Sequence, residues 1–157
     1  MIKKQILDAI SMNSRRSTED LAAMLNTGTD TIEHEIKEME DNKVICGYPT
    51  LINWDKTDCE KVTALIEVKV TPQRDMGFNK VAERIYKFEE VESVYLMSGG
   101  FDLTVVIQGK SMKEVSRFVT EKLSTLEYIT STATYFVIKK YKEHGLIMTD
   151  EKHDSER

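Results

Sequence analysis

The chain is 157 residues long, with 22 Lys and Arg against 27 Asp and Glu for a formal net charge of −5; 40% of its residues are hydrophobic and 31% charged. That length allows one or two small domains, and the composition, with only 7 Gly and 2 Pro, excludes collagen-like, low-complexity and disordered classes for most of the chain. An acidic balance also argues against a protein that coats nucleic acid through bulk positive charge, but it leaves binding through a local patch open.

From the N-terminus, Ile2, Ile6, Leu7 and Ile10 fall at helical spacing and Asn13-Ser14 ends the pattern, which predicts a first helix. Lys3 and Lys4 lead into Asp8 with no continuous apolar stretch and no small-residue cleavage site, so no targeting peptide is expected and the cytoplasm is the expected location. Ser17, three residues before Asp20, is a helix-start signal, and Leu21, Ala22, Met24 and Leu25 supply the buried face of a short second helix. Asn26-Thr27-Gly28 breaks it. A third helix follows, with Asp30 as N-cap paired to Glu33 and an apolar seam of Ile32, Ile36 and Met39. Two short helices joined by a tight glycine-containing turn, after a preceding helix, form the helix-turn-helix pattern. A plain three-helix bundle has the same spacing. Val44-Ile45-Cys46-Gly47-Tyr48 then reads as a short apolar strand, as in winged versions of the motif, and Leu51 to Trp54 continues extended into the charged link Asp55 to Lys61.

Beyond that link, Val62 to Val70 alternates, with Ala64, Ile66, Val68 and Val70 on one face and Thr63, Leu65, Glu67 and Lys69 on the other, a strand closed by Thr71-Pro72. Phe78, Val81, Ala82, Ile85 and Tyr86 recur at helical spacing; Val91 to Met97 is a second strand, Ser98-Gly99-Gly100 a turn, and Leu103 to Gln108 a third strand in a hairpin with the second. Ser111 with Glu114 reads as a capping box opening a helix whose apolar side is Val115, Phe118, Val119 and Leu123, and the last strand spans Ile129 to Tyr141. Strand, helix, strand, strand, helix, strand is the ferredoxin-like order, two helices on one face of a four-stranded antiparallel sheet. The strands carry apolar residues on both parities, as in Leu65 beside Ile66 and Val105 beside Val106. Such an uncovered apolar face marks an association surface, and a twofold homodimer is the default expectation.

The chain thus reads as α+β. A winged helix-turn-helix domain at 1–50 is followed by an extended linker at 51–61, a ferredoxin-like domain at 62–142, and a tail at 143–157 with a frayed end. The uncharged stretch Tyr128 to Ile138, bordered by Glu127 and Lys139, is far short of the roughly 20 apolar residues that span a bilayer, so no membrane segment is expected. Cys46 and Cys59 belong to no CxxC or Cys/His cluster and read as small buried packing residues. No nucleophile-base pair, metal cluster or phosphate loop is visible, and no cofactor is implied.

A helix-turn-helix ahead of a ferredoxin-like domain, with a Gly-x-aromatic-Asp turn between strands two and three, resembles the Lrp/AsnC (leucine-responsive/asparagine) family of transcription regulators. The residues that carry the resemblance are Leu21-Ala22, Ile36 to Glu40 leading through Val44 to Tyr48, Gly99-Gly100-Phe101-Asp102-Leu103, and Thr132-Ala133-Thr134 with Val137-Ile138. No single motif is specific; their order over about Ile2 to Lys142 is. The resemblance implies a domain that binds double-stranded DNA and a second that pairs subunits into dimers, often further into octamers, and senses a small effector, commonly an amino acid. Its effector site maps onto Gly99, Gly100, Phe101 and Asp102, with Thr132 and Thr134 from a neighbouring subunit. Glycine N–H groups can approach a carboxylate closely, Asp102 can pair an ammonium, and threonine hydroxyls can complete the shell. The alternative is a plain hairpin turn in which Asp102 caps its own backbone.

The same resemblance implies a basic third helix. Here Asp30, Glu33, Glu35, Glu38, Glu40 and Asp41 face Lys37 alone, and residues 1–50 carry nine acidic against six basic side chains, a net −3. Affinity through counterion release needs Lys and Arg contacts. Arg15 and Arg16 before helix two, and Lys37 and Lys43, are the candidates for phosphates; Thr29, Thr31 and His34 could read base edges and Glu35 could accept from cytosine. Weak, salt-sensitive DNA binding that depends on oligomer state is therefore expected. An amino-acid-sensing module with weak or lost DNA binding is the first alternative. A sirohaem-decarboxylase-like enzyme, which resembles the same two-domain family, is a second; it wants histidines around a tetrapyrrole, whereas only His34, His144 and His153 are present.

Overall fold

The computed structural model describes residues 1–71 and 77–149. The chain divides into two units, Met1–Thr50 and Leu51–Arg157. In the first, helices α1 (Ile2–Met12), α2 (Thr18–Leu25) and α3 (Thr29–Asp41) enclose Ile6, Leu21, Ala22, Ile32, Met39 and Ile45. Helix α2 starts where the sequence says it should. The Ser17 hydroxyl accepts from the Asp20 N–H at 3.1 Å while the Asp20 carboxylate accepts from the Ser17 N–H, so two orphan donors are satisfied reciprocally. Asn26 then takes the left-handed conformation (φ 50°, ψ 52°) that ends α2 and turns the chain into α3.

Several expectations for this unit need correcting. Asp30 is not the cap of α3: Gly28 holds that position, its carbonyl accepting from the Ile32 N–H at 3.3 Å, and Asp30 lies in the first turn, where its charge suits the helix dipole. Met24 is exposed rather than packed into the core, as is Cys46. Residues 44–48 form no strand. Lys43 adopts a left-handed φ of 57°, and the Val44 and Ile45 N–H groups both turn back to the Met39 carbonyl at 2.8 and 3.1 Å, which uses in a helix-ending turn the donors a strand would need. Ile45 then drops into the helical core, and the first unit contains no other strand to pair with.

The second unit holds β1 (Val62–Val70), α4 (Gly77–Tyr86), β2 (Val91–Leu96), β3 (Leu103–Gly109), α5 (Met112–Phe118, running on as a π turn at Val119–Leu123) and β4 (Ile129–Phe136). The sheet is antiparallel in the order β2-β3-β1-β4, the ferredoxin-like arrangement, and the closing Pro72 predicted for β1 lies outside the described residues. Its inner face, Ala64, Ile66, Val68, Leu103, Val105 and Ile107, packs against Val81 and Ile85 of α4 and against Val115, Phe118 and Leu123. Phe88 meets Phe118 edge to face at 5.4 Å between centroids. At α5 the Ser111 hydroxyl accepts from the Glu114 N–H, but Glu114 reaches back to the Lys110 N–H instead of that of Ser111.

Strand β4 ends at Phe136, five residues before the predicted Tyr141, because its partner β1 begins at Val62; the Val137 N–H to Thr63 carbonyl bond, 2.9 Å, is the last between them. The chain does not become a tail at 143: β5 (Lys142–Glu143) and β6 (Leu146–Ile147) form a short hairpin, and the expected frayed end, 150–157, lies outside the described residues. The segment 51–61 belongs with the second unit. The Asn53 amide donates to the Met148 carbonyl at 2.7 Å, and the Lys61 ammonium sits 5.1 Å from the Trp54 ring centroid. Cys59 in this segment is exposed.

Candidate DNA-binding and effector sites

The first candidate surface is built on α2 and α3. Thr31, His34 and Lys37 are exposed, and helical periodicity puts them on the side of α3 away from Ile32, Ile36 and Met39, together with Asp30 and Asp41. Thr29 is exposed in the first turn and Lys43 just past the last. Arg15 is exposed ahead of α2. Arg16 lies back along that helix, one terminal nitrogen 2.8 Å from the Met24 sulfur and its Nε buried without a partner. Thr31, His34 and Lys37 thus share one side of α3, while Arg15 and Arg16 precede α2 and Lys43 follows α3.

It also redistributes the acidity of α3. Lys3 reaches from α1 to Glu38 at 2.8 Å and to Glu35 at 3.6 Å. The hydrogen bond to Glu38 leads the causes that raise the Lys3 pKa, and the same bond leads those that lower the Glu38 carboxyl. Lys37 pairs with Asp41 at 3.3 Å, and Glu40 accepts from the Tyr48 hydroxyl at 2.8 Å. Partial desolvation of the Tyr48 phenol, and then that bond, push its pKa up to about 12. Of the six acids on α3, Asp30 and Glu33 stay outside these contacts. Glu35, only 18% exposed and turned toward Lys3, is not placed to accept from cytosine as the sequence suggested.

The second candidate lies at one end of the sheet. Asp102 is held three ways: its N–H donates to the Val68 carbonyl at 3.0 Å, its carbonyl accepts from the Met97 N–H at 2.8 Å, and its carboxylate accepts from the Val70 N–H at 2.8 Å. The Gly99-Gly100 turn is therefore pinned to the end of β1. A Cβ at either glycine would meet no atom within 4 Å, so their backbone is open to approach. Thr132 and Thr134 pair with Val68 and Ile66 on the other flank of β1, two strand spacings, or about 10 Å, from β3. Their side chains project toward the helical layer, where Thr132 lies 3.4 Å from the Ser124 hydroxyl. Within one chain the turn and these threonines do not close on a common point.

Phe101 turns toward the open side of the sheet. With Leu65, Glu67, Tyr95, Met97, Thr104, Val106 and Tyr135 it lines a concavity of about 490 Å³ on the open face of the sheet, opposite the helices. Tyr95, Tyr135 and Met97 are among its exposed large side chains, and the Tyr135 hydroxyl donates to Glu67 at 3.4 Å. Double apolar parity in the strands signalled this face. The role of Lys3 had no such signal, because its partners lie more than thirty residues away.

A helix-turn-helix unit ahead of a ferredoxin-like domain is the layout of a transcription regulator. Residues 63–147 match the family described as the Lrp/AsnC ligand binding domain. An uncharacterised HTH-type transcriptional regulator, YugG, of Bacillus subtilis is 51% identical over 91% of this chain and 87% of its own. The solved structure of AsnC from E. coli superposes with a TM-score of 0.68 at 19% identity, covering 90% of this chain and 93% of that one. A Neisseria meningitidis transcriptional regulator, solved as a complex with L-methionine, gives 0.71 at 21% identity over 90% and 91%. The chain belongs to the Lrp/AsnC family of transcription regulators. No described helix is long and apolar enough to cross a membrane.

Proposed function

We propose that this regulator acts in the cytoplasm. It binds double-stranded DNA through the exposed side of α3 and the basic residues Arg15, Arg16, Lys37 and Lys43, and its response is set by an amino acid held at subunit contacts. The observation that carries the effector reading is the turn at 99–102, where open glycine backbone stands beside a carboxylate pinned to β1. Gly99 and Gly100 present N–H groups to the ligand carboxylate, and the remaining lone pairs of Asp102 face its ammonium. Thr132 and Thr134 come from a neighbouring subunit, since within one chain they sit across β1. The L-methionine bound by the Neisseria relative supports an amino acid as the ligand class. Subunits pair through the open sheet face, and dimers can assemble further into an octamer.

A thermal-shift screen of the twenty amino acids, repeated on Thr132→Val and Asp102→Asn, tests this reading. Stabilisation by one amino acid that both variants lose is expected; no shift with any of the twenty sinks the site. A second reading, a sensing module with weak or lost DNA binding, is favoured by Asp30 and Glu33, which lie outside the ion pairs of α3 and would face phosphates. Gel shifts on the protein's own promoter region at low and moderate salt separate the two.

A further inference from the structure

The open face of the sheet carries a charge pattern that selects how a second copy can cover it. Alternation and register place Leu65, Glu67 and Lys69 of β1 on this face, with Thr104 and Val106 of β3 and Tyr135 of β4 around them. Across β1, β3 and β4, Glu67 and Lys69 are the charged side chains there; on β2, Glu92 sits in a bulge. Glu67 is half-buried beside the Tyr135 hydroxyl, and Lys69 is exposed, about 6.6 Å further along the strand. Covering this face strips water from both. A carboxylate or ammonium buried without a counter-charge is strongly unfavourable, so a covered state must pair them.

Two placements of a twofold axis between packed sheets, along β1 and across the strands, bring β1 over its own copy. An axis along β1 stacks each residue of that strand on itself, Glu67 over Glu67 and Lys69 over Lys69. Across the strands, β1 runs antiparallel to its copy and the crossing point decides the pairing. Crossing at Glu67 or Lys69 again opposes like charges. Crossing at Val68 sets Glu67 against the Lys69 of the other copy, and by symmetry does so twice. Sheets packed face to face stand about 10 Å apart, a gap that a glutamate and a lysine span between them.

The geometry points to a homodimer in which β1 crosses its copy antiparallel at Val68, with two reciprocal Glu67–Lys69 ion pairs that set the register and favour a second copy of this chain over related subunits lacking the same alternation. This rests on the pairing of subunits through the sheet face proposed above. Its test uses the full-length chain in sedimentation equilibrium. Glu67→Lys and Lys69→Glu each set like charges together twice and should weaken self-association about tenfold or more, less at high salt. The double exchange Glu67→Lys/Lys69→Glu should restore it. Mixed together, the two single variants should form a one-to-one heterodimer, because each then supplies the charge the other lacks.

Single variants that dimerise like the parent, or a double exchange no better than either single, overturn the register. Should a charge reversal fail to fold by circular dichroism, Glu67→Gln and Lys69→Gln replace it in a double-mutant cycle, and additive effects overturn the pair. Leu65→Asp keeps the two failures apart. If it dissociates the dimer while the charge variants do not, the sheet interface stands and the ion pairs fall; if it leaves the dimer intact, the sheet interface itself falls.

Discussion

The structural role of Asp102 and its proposed role toward an effector can be separated by substitution. Its carboxylate accepts the Val70 N–H and so locks the 99–102 turn to β1. Asp102→Ala leaves that donor unpaired and should lower stability by about 1–3 kcal/mol in urea melts. Asp102→Asn keeps an acceptor there, so it should retain most of the stability while losing the thermal response to an amino acid. Tyr48 offers a second residue-scale check. Its phenol pKa stands at about 12, above the usual value, so the stability it contributes is complete below the ordinary tyrosine range and is lost as pH rises through about 12. The difference in absorbance titration between the parent and Tyr48→Phe should show that midpoint, and Glu40→Gln should lower it. The alternative readable from the Gly-x-Phe-Asp turn had Asp102 capping its own backbone, but the donor it meets is the Val70 N–H on β1, which no local signal reaches. The Tyr48 contact was not readable either, since it depends on how the chain turns after α3.

Among the elements, α2 and α3 show what local signals can and cannot carry. The Ser17/Asp20 capping box is a contact between residues three apart, so its letters suffice to place it. Ser17→Ala should cost about 1 kcal/mol of unfolding free energy, and Ser17→Gly a few tenths. For α3 the letters report six acids but not which of them meet DNA. Lys3 from α1 takes up Glu35 and Glu38, a pairing set by how α1 packs on α3. Asp30→Asn and Glu33→Gln should therefore strengthen DNA binding in a filter or gel assay, while Glu35→Gln and Glu38→Gln should leave it near the parent value. The predicted strand at 44–48 failed for a related reason. Its apolar run is real, but the left-handed Lys43 and two N–H bonds to the Met39 carbonyl turn it into a helix end.

For the whole molecule, the proposed pairing of subunits would couple DNA binding to oligomeric state. A unit with net −3 is expected to bind DNA weakly alone, and paired units on one duplex would gain effective concentration, which can add about a hundredfold or more. A Leu65→Asp variant that is monomeric in sedimentation should lose affinity by about that factor, with a shallower dependence on salt, since fewer phosphates are contacted at once.

Local periodicity determined the order of the helices and of the four sheet strands, the apolar inner face of the sheet, the Ser17/Asp20 capping box and the family resemblance, because each depends on residues within a turn or two of one another. Tertiary structure alone decided where β4 stops, since that depends on where β1 begins. It alone showed that Phe101 turns onto the open sheet face and that Thr132 and Thr134 stand across β1 from Asp102, because strand register links residues about thirty or more positions apart. The net charge that first argued against nucleic acid is the clearest case. Composition counts its charges, but only packing shows that Lys3 holds Glu35 and Glu38 and that the Tyr48 hydroxyl meets Glu40, which with the Lys37–Asp41 pair leaves Asp30 and Glu33 outside these contacts.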